Sequence, residues 1–400
     1  MNVEAYGCYT IQSSLADPGG DCFIHVPNAG LDPGRVIAMW GYDSRGVDFT
    51  DHFEFVAIPA PVVDNVFFLV NRRSGLPLRV RGDHVIQGVA VDSTEAERSE
   101  QGAQWVLEPV DDEFRIMSLL TGFYLSPRDF RTVDGTGLSL VAPVLRAGLD
   151  DRVRHFRLGR VASLMGRLPE PVTAKGARFA KLKSIDTELP DRTPALLREV
   201  EVLPFFVVVD PSYPPSRQVQ VSPYYTLRLS KLWSKVFDRQ LDGIVERETE
   251  ETTETGLTTV DAQSVMSTFS WSVSAEASAG YKGYGVSASM KLTSQLAGET
   301  KRTSESSSEH REQHQLVESI VYPAIGQPYR LVSWRPVDRY ELCRKDGSLV
   351  QSWDVVRTEQ EVIDVFPRSV TIPPTVPSQR DPGRSARRLA RKEAVAVPVA

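Results

Sequence analysis

Cysteine is scarce, basic residues are outnumbered and no apolar run is long, and each shortage removes a class of protein. Cys8, Cys22 and Cys343 are the only thiols. They are too few for a disulfide scaffold, show no CxxC spacing for zinc, and allow at most one bridge. No stretch reaches the ~18 apolar residues of a transmembrane helix. The opening MNVEAYGCYT has neither a basic n-region nor an apolar h-region. A protein made soluble, as monomer or dimer, and released without a Sec-type signal is therefore expected. With 46 Lys and Arg against 52 Asp and Glu, the net charge of −6 argues against nucleic acid, because a phosphate-tracking surface needs a basic excess. The imbalance is uneven: Ser378–Ala400 holds six basic residues against two acidic, +4, which leaves −10 on the rest.

No GxSxG, Walker loop or dinucleotide fingerprint occurs, so neither an enzyme nor a bound cofactor is expected. The spacing His310-Arg311-Glu312-Gln313-His314 misplaces the Glu for a zinc protease, and no metal is expected. On a strand these side chains share a face and would lie opposite Thr255, Thr253 and Glu251, with a pH-responsive His314–Glu251 contact as the sharper reading. Arg387 and Arg388 in the basic tail form a candidate processing site; the plainer reading is solubilising charge on a flexible segment.

What the chain has is β pattern in 27 Gly, 27 Pro and many short Val/Ile/Thr/Tyr runs, so an all-β fold is expected. The first 160 residues repeat. CYTIQS, FFLVNR and FRIMSL open three units; CFIHV, LPLRV and FYLSP follow; RVIAMW, HVIQGVAV and GLSLVA come third. DHFEFVAIP, GAQWVLEP and RHFRLGR close the cycle, with Phe55, Trp105 and Phe156 spaced by 50 and 51 residues. Four strands per unit and three units make the β-trefoil plan, in which no unit buries enough alone. The units resemble the ricin-B-type lectins, whose repeats end in Gln-x-Trp. The match is partial: Gln104 directly precedes Trp105, and Phe stands at the other two sites. Phe55, Trp105 and Phe156 read first as core aromatics. Asp21, Trp40, Tyr42 and Asn71 are the candidate glycan-binding residues.

The period is lost between Ala162 and Pro204, where Pro169, Pro171, Pro190 and Pro194 mark a linker or packed crossover. Longer strands are expected beyond it at Phe205–Asp210, Pro223–Phe237, His314–Pro323, Pro328–Val337 and Arg339–Val356, the last turning at Asp346-Gly347. Residues 246–316 are rich in Ser, Thr and Glu, a composition that usually means disorder. Alternation opposes that reading. Phe269, Trp271, Val273, Ala275, Ala277 and Ala279 share one face; Ser274, Glu276 and Ser278 lie on the other. After the tip Tyr281-Lys282-Gly283-Tyr284 the pattern resumes, with Val286, Ala288, Met290 and Leu292 apolar and Ser287, Ser289 and Lys291 polar. A turn at Lys282-Gly283 pairs positions summing to 565, which sets Ala277 opposite Ala288 and Ala279 opposite Val286.

One mildly apolar face and one polar face, about ten residues per strand, is what one hairpin of a transmembrane barrel needs. A lone hairpin cannot satisfy its edges in lipid, so several chains must each donate one. The polar flanks, at ~3.4 Å per residue over about 30 residues, give a reach of about 100 Å. The plainer reading is a half-buried pair in a β-sandwich, though the polar flanks would then be ordered without burial. This hairpin in a domain of long strands after a trefoil resembles the aerolysin-type pore-forming toxins, in a layout similar to bacterial binary insecticidal toxins and fungal trefoil pore-forming lectins.

The resemblance implies a trefoil over 1–162, a crossover over 163–203, an elongated aerolysin-like domain of long antiparallel strands over 204–376 with its insertion hairpin at 246–316, and a tail over 377–400. It implies a secreted, carbohydrate-binding toxin that binds a cell-surface glycan or glycosylated receptor, forms a homo-oligomer and enters the target-cell membrane, with a second toxin component as a further candidate partner. The alternative is a non-lytic lectin or adhesin whose second domain mediates assembly.

Overall fold

The computed structural model describes residues 3–15, 22–31, 34–41, 50–60, 65–81, 84–87, 102–145, 148–173, 176–269, 291–309, 315–357, 361–370 and 376–377. Twelve strands fill the first part: β1 (Gly7–Ser13), β2 (Phe23–His25), β3 (Ala38–Trp40), β4 (Glu54–Pro59), β5 (Val66–Asn71), β6 (Leu78–Arg81), β7 (His84–Gln87), β8 (Gln104–Val110), β9 (Glu113–Ser118), β10 (Tyr124–Pro127), β11 (Leu138–Val141) and β12 (His155–Ser163). Each falls on one of the twelve segments of the sequence repeat. Antiparallel pairing runs β1–β4–β5–β8–β9–β12 and returns to β1, closing a six-stranded barrel with no free edge. The hairpins β2–β3, β6–β7 and β10–β11 cap it, joined by bridges Val36–Ile86, Ala38–Gly137 and Ser139–His84. This is a β-trefoil.

Alternation puts Phe55, Trp105 and Phe156 inside, all fully buried. The Trp105 indole N–H donates to the Leu78 carbonyl at 3.0 Å, so the Gln104-Trp105 pair serves the core. All three cysteines are free and buried. Burial pushes the Cys8 thiol up to about 12 and the Cys22 thiol to about 11.

The second part is built on long strands. Sheet order is β13 (Leu196–Pro204), β14 (Tyr224–Leu241), β17 (Tyr329–Arg344) and β18 (Leu349–Val356), with β19 (Val362–Phe366) also paired to β17. The β14–β17 ladder runs from Tyr225–Arg344 to Leu241–Tyr329, about 55 Å at ~3.4 Å per residue. A separate sheet pairs β15 (Arg247–Glu254) with β16 (Gln315–Tyr322), and β16 with the two-residue β20 (Val376–Pro377). Asp346-Gly347 turns the chain from β17 to β18 as expected: Gly347 has φ 86°, and the Asp346 carboxylate accepts from the Ser348 amide at 2.8 Å.

Several expectations fail here for identifiable reasons. Phe205–Asp210 is not a strand. β13 ends at Pro204 and Phe205–Val207 forms a 3-10 turn, which buries Phe205, Val207 and Val208 in the core shared with the trefoil. β13 itself starts within the span assigned to a linker. The rest of that span straps the sheet: the Leu182 amide donates to Asp364 at 2.6 Å, and the Trp233 indole donates to the Ala177 carbonyl at 2.6 Å. Two expected strands, divided at Asp338, merge into β17. Pro336, inside the first of them, falls between the pairing of β19, ending at Trp334, and that of β18, beginning at Val337. On that edge the strand needs no N–H donor there.

The largest difference lies in 246–316. A short helix, α1 (Pro215–Val221), precedes β14, and between β15 and β16 the described residues form two more, α2 (Thr259–Thr268) and α3 (Lys291–Glu309), where extended flanks were expected. β15 and β16 pair as Arg247–Tyr322 through Glu254–Gln315, positions summing to 569 rather than 565. Glu251 therefore lies opposite Glu318, not His314. His310, Glu312 and His314 lie outside the described residues.

Candidate functional site

Beyond β15, the part of the hairpin segment that the structure describes is held mainly as helix on the body of the long-strand sheet. α2 opens with the Thr258 hydroxyl accepting from the Asp261 amide at 3.0 Å and buries Ala262, Val265 and Thr268. Phe269 follows, buried, in a β-bridge with Val208 and 6.1 Å from the Trp353 ring. The Trp353 indole N–H donates to the Ser264 hydroxyl at 3.2 Å. α3 buries Leu292, Thr293, Leu296, Ala297, Thr300 and Thr303, a spacing of three and four that belongs to a helix. Three of those six are Thr. The Thr300 hydroxyl donates to the Leu296 carbonyl at 2.9 Å and the Thr303 hydroxyl to Leu257 at 3.2 Å.

Intrinsic preference does not hold α3 in place. Eight of its 19 residues are Ser or Thr and one is Gly, all weaker helix formers than Ala or Leu. Its apolar burial rests on Leu292, Leu296 and Ala297. Three polar anchors add to it. The Lys291 ammonium pairs with Glu199 at 2.9 Å. The Glu201 carboxyl, nearly buried on β13, accepts from the Leu292 amide at 2.7 Å and hydrogen-bonds the Thr293 hydroxyl, capping the first turn of α3. Arg357, just past β18, bridges Glu299 of α3 at 2.6 Å and Asp338 of β17 at 2.8 Å.

The electrostatics of the anchors differ. Burial pushes the Glu201 carboxyl up to about 7, against the bonds from Thr293 and Leu292 and with a small contribution from Glu199. Burial also works against the Arg357 charge, but the Glu299 and Asp338 carboxylates outweigh it and raise its pKa. Glu201 is thus the anchor whose charge changes in the neutral range.

The candidate residues distribute unevenly. Phe269 is buried. Leu292 is buried on α3 and Lys291 lies at its exposed start. Trp271, Val273, Ala275, Ala277, Ala279, Val286, Ala288, Met290, Ser274, Glu276, Ser278, Ser287, Ser289, Tyr281, Lys282, Gly283 and Tyr284 lie outside the described residues, as do Asp21, Tyr42, Arg387 and Arg388. Trp40 is 42% exposed, tilted against the buried His25 ring at 5.5 Å, and next to Gly41, whose amide donates to Asp134 at 2.7 Å.

Asn71 corrects the glycan set. It is buried, its amide donates to the His52 carbonyl at 3.1 Å, and its Oδ1 accepts from the Arg73 and Ser74 amides at 3.2 Å, so a turn uses its polar atoms. Among the described residues no three His, Cys, Asp or Glu side chains gather to hold a metal, and no helix is long and apolar enough to cross a membrane. Sequence reasoning missed Glu199, Glu201, Glu299 and Arg357. The available signal was an acid at Glu201 between Val200 and Val202, in a strand running into Leu203.

Residues 196–368, which include the long-strand sheet and every anchor of α3, match the sequence profile of the insecticidal crystal toxin, P42, family. Over that stretch, somewhat less than half of its length, the chain is similar to the insecticidal crystal toxins. The architecture agrees: the crystal structure of Cry35Ab1 superposes with a TM-score of 0.61 over 91% of each chain, at 13% identity. At 39–40% of this chain, a designed 3-fold symmetric protein, ThreeFoil, aligns with TM-score 0.31 at 19% identity over 99% of its length. The Macrolepiota procera ricin B-like lectin in complex with lactose aligns with TM-score 0.30 at 15% identity over all of its length. No curated protein sequence matches. The fold is a β-trefoil followed by a unit of long antiparallel strands, the architecture shared with Cry35Ab1.

Proposed function

We propose that the chain is a pore-forming toxin. Its trefoil binds a cell-surface glycan or glycosylated receptor, identical subunits form a ring, and each donates one hairpin from residues 246–316 to a transmembrane β-barrel. The observation that carries this reading is a conflict between pattern and conformation. Residues 269–292 alternate apolar and polar as an amphipathic strand does, yet Lys291–Glu309 is docked as a helix rich in weak helix formers, with Thr at three of the six buried positions among its described side chains. Leu292 and Leu296 serve both arrangements, sharing a helix face at i, i+4 and a strand face at i, i+4. A segment that fits two conformations, fastened by side chains, suits a release mechanism.

The register of the β15–β16 pair supports the same faces. Extending pairs that sum to 569 through the segment sets Ala277 opposite Leu292, Val273 opposite Leu296 and Ala279 opposite Met290. Both 565 and 569 are odd, so apolar positions meet apolar positions in either register and only the turn moves. Trp40, with its exposed ring, is the described residue best placed to stack on a sugar.

Dye release and planar-bilayer recording test the proposal. Leakage from erythrocytes or receptor-bearing vesicles with discrete conductance steps is the expected result. Binding with no leakage would refute it in favour of a non-lytic adhesin.

A further inference from the structure

The pseudo-threefold of the trefoil supplies an internal control for its surface. Where the first strand of each unit turns into the second, the same backbone bonds recur. The Ser13, Asn71 and Ser118 amides donate to Cys22, Leu76 and Phe123 carbonyls at 3.1, 3.0 and 2.8 Å. The next amides, of Ser14, Arg72 and Leu119, donate to His155, Glu54 and Gln104 carbonyls at 2.9, 2.9 and 3.0 Å. The second and third turns also share length and geometry: Gly75 and Gly122 have φ 73° and 70° and donate to the Asn71 and Ser118 carbonyls at 2.9 and 2.8 Å.

Their side chains differ. The second turn presents Arg72 and Arg73 and tucks Leu76 in at 8% exposure. The third presents Leu119, Leu120 and Phe123, exposed by 38%, 46% and 42%. The backbone does not demand apolar residues there, since its duplicate carries Arg-Arg. Nor is the tip loose: the Phe123 amide donates to the Thr121 hydroxyl at 3.2 Å, inside a turn closed by Ser118.

Three large exposed apolar side chains within five residues, on a hydrogen-bonded turn at the end of the β9–β10 hairpin, need a partner that moulds around them. They are far short of the roughly 1,200 Å² that a specific protein interface buries, and a turn tip has no concave wall to hold a small ligand. A lipid surface meets both conditions, because acyl chains and headgroups rearrange around inserted Leu and Phe. We propose that Leu119, Leu120 and Phe123 form a lipid-contacting tip by which the trefoil sits in the outer leaflet. This contact is separate from the hairpin of the proposed pore and does not depend on it.

The test is sedimentation of the full-length chain with neutral phosphatidylcholine vesicles that carry no glycan or receptor. The variants are Leu119→Arg with Leu120→Arg, which copies the duplicate turn, and Phe123→Ser alone. Wild-type chain should partition into the vesicles, the double variant should lose at least tenfold in partition coefficient, and the single variant severalfold, with melting temperatures unchanged. Wild-type protein that stays in the supernatant, or variants that partition as wild type does, would overturn the proposal. So would a concentration-dependent dimer abolished by the double variant, which would assign the tip to a second copy. Leakage is read separately on receptor-bearing vesicles: partition into the receptor-free vesicles with no leakage from the receptor-bearing ones would count against the pore and leave the tip standing, and leakage from the receptor-bearing vesicles with no partition into the receptor-free ones would do the reverse.

Discussion

Replacing Glu201 with Gln keeps the shape of the α3 cap and removes its titration. In the docked state burial lifts the Glu201 carboxyl to about 7 from an ordinary 4.5. Once α3 leaves, solvent returns the group to its ordinary value. The docked form therefore holds a proton that the released form gives up. Docking is strongest at and below about pH 4.5, weakens as pH rises toward 7, and levels off above it. At about 1.4 kcal/mol per pH unit this is on the order of 3 kcal/mol of docking free energy lost across that window. Glu199 and Lys291 face the same cap. Their pair at 2.9 Å is present in both proteins, so the difference between wild type and Glu201→Gln isolates one group. Hydrogen exchange of the α3 amides, followed from pH 4.5 to 8 after correction for intrinsic exchange, is the assay. Wild-type protection should fall by about two orders of magnitude over the window, and that of Glu201→Gln should stay nearly flat. Parallel profiles for the two proteins would refute the assignment of Glu201 as the titrating latch.

Two further outcomes follow from the same geometry. Cysteines at Val208 and Phe269, which form a β-bridge, should close a disulfide between the sheet body and the start of the hairpin segment; the oxidised protein should bind target cells without leakage, and reductant should restore leakage. Lys291→Ser should shift the reversal potential of the pore toward cations and Glu276→Ser toward anions, because charged rings in a lumen set ion preference; planar bilayers under a salt gradient report both, and identical values for all three proteins would place these side chains elsewhere.

The trefoil was legible because its period is written three times and each copy corrects the others. All twelve strands sit on the repeated segments, and Phe55, Trp105 and Phe156 take the core positions that alternation assigns. Pattern failed where a single residue or a tertiary contact decides. The apolar run after Pro204 reads as a strand but packs as a 3-10 turn, and the break expected at Asp338 is absent because that residue pairs with Lys231 in the continuous β14–β17 ladder. The helices of 246–316 were illegible for a different reason. Ser, Thr and Gly give α3 little intrinsic preference, so contacts from Glu199, Glu201 and Arg357, far away in sequence, decide its conformation. Asn71 reads in the sequence as a candidate glycan-binding residue. Its side chain closes the turn whose counterpart carries Ser118, a role visible only once both turns are seen.

The central claim, that residues 269–292 line a membrane pore, is tested most directly by single cysteines carrying an environment-sensitive dye. Ala277→Cys and Ala288→Cys should report lipid after pore formation, and Ser278→Cys and Ser287→Cys should report water, with none of the four differing in this way before target membranes are added. Alternation of the signal with residue number is the predicted result. Equal signals from both sets, in protein that does release dye, would contradict it.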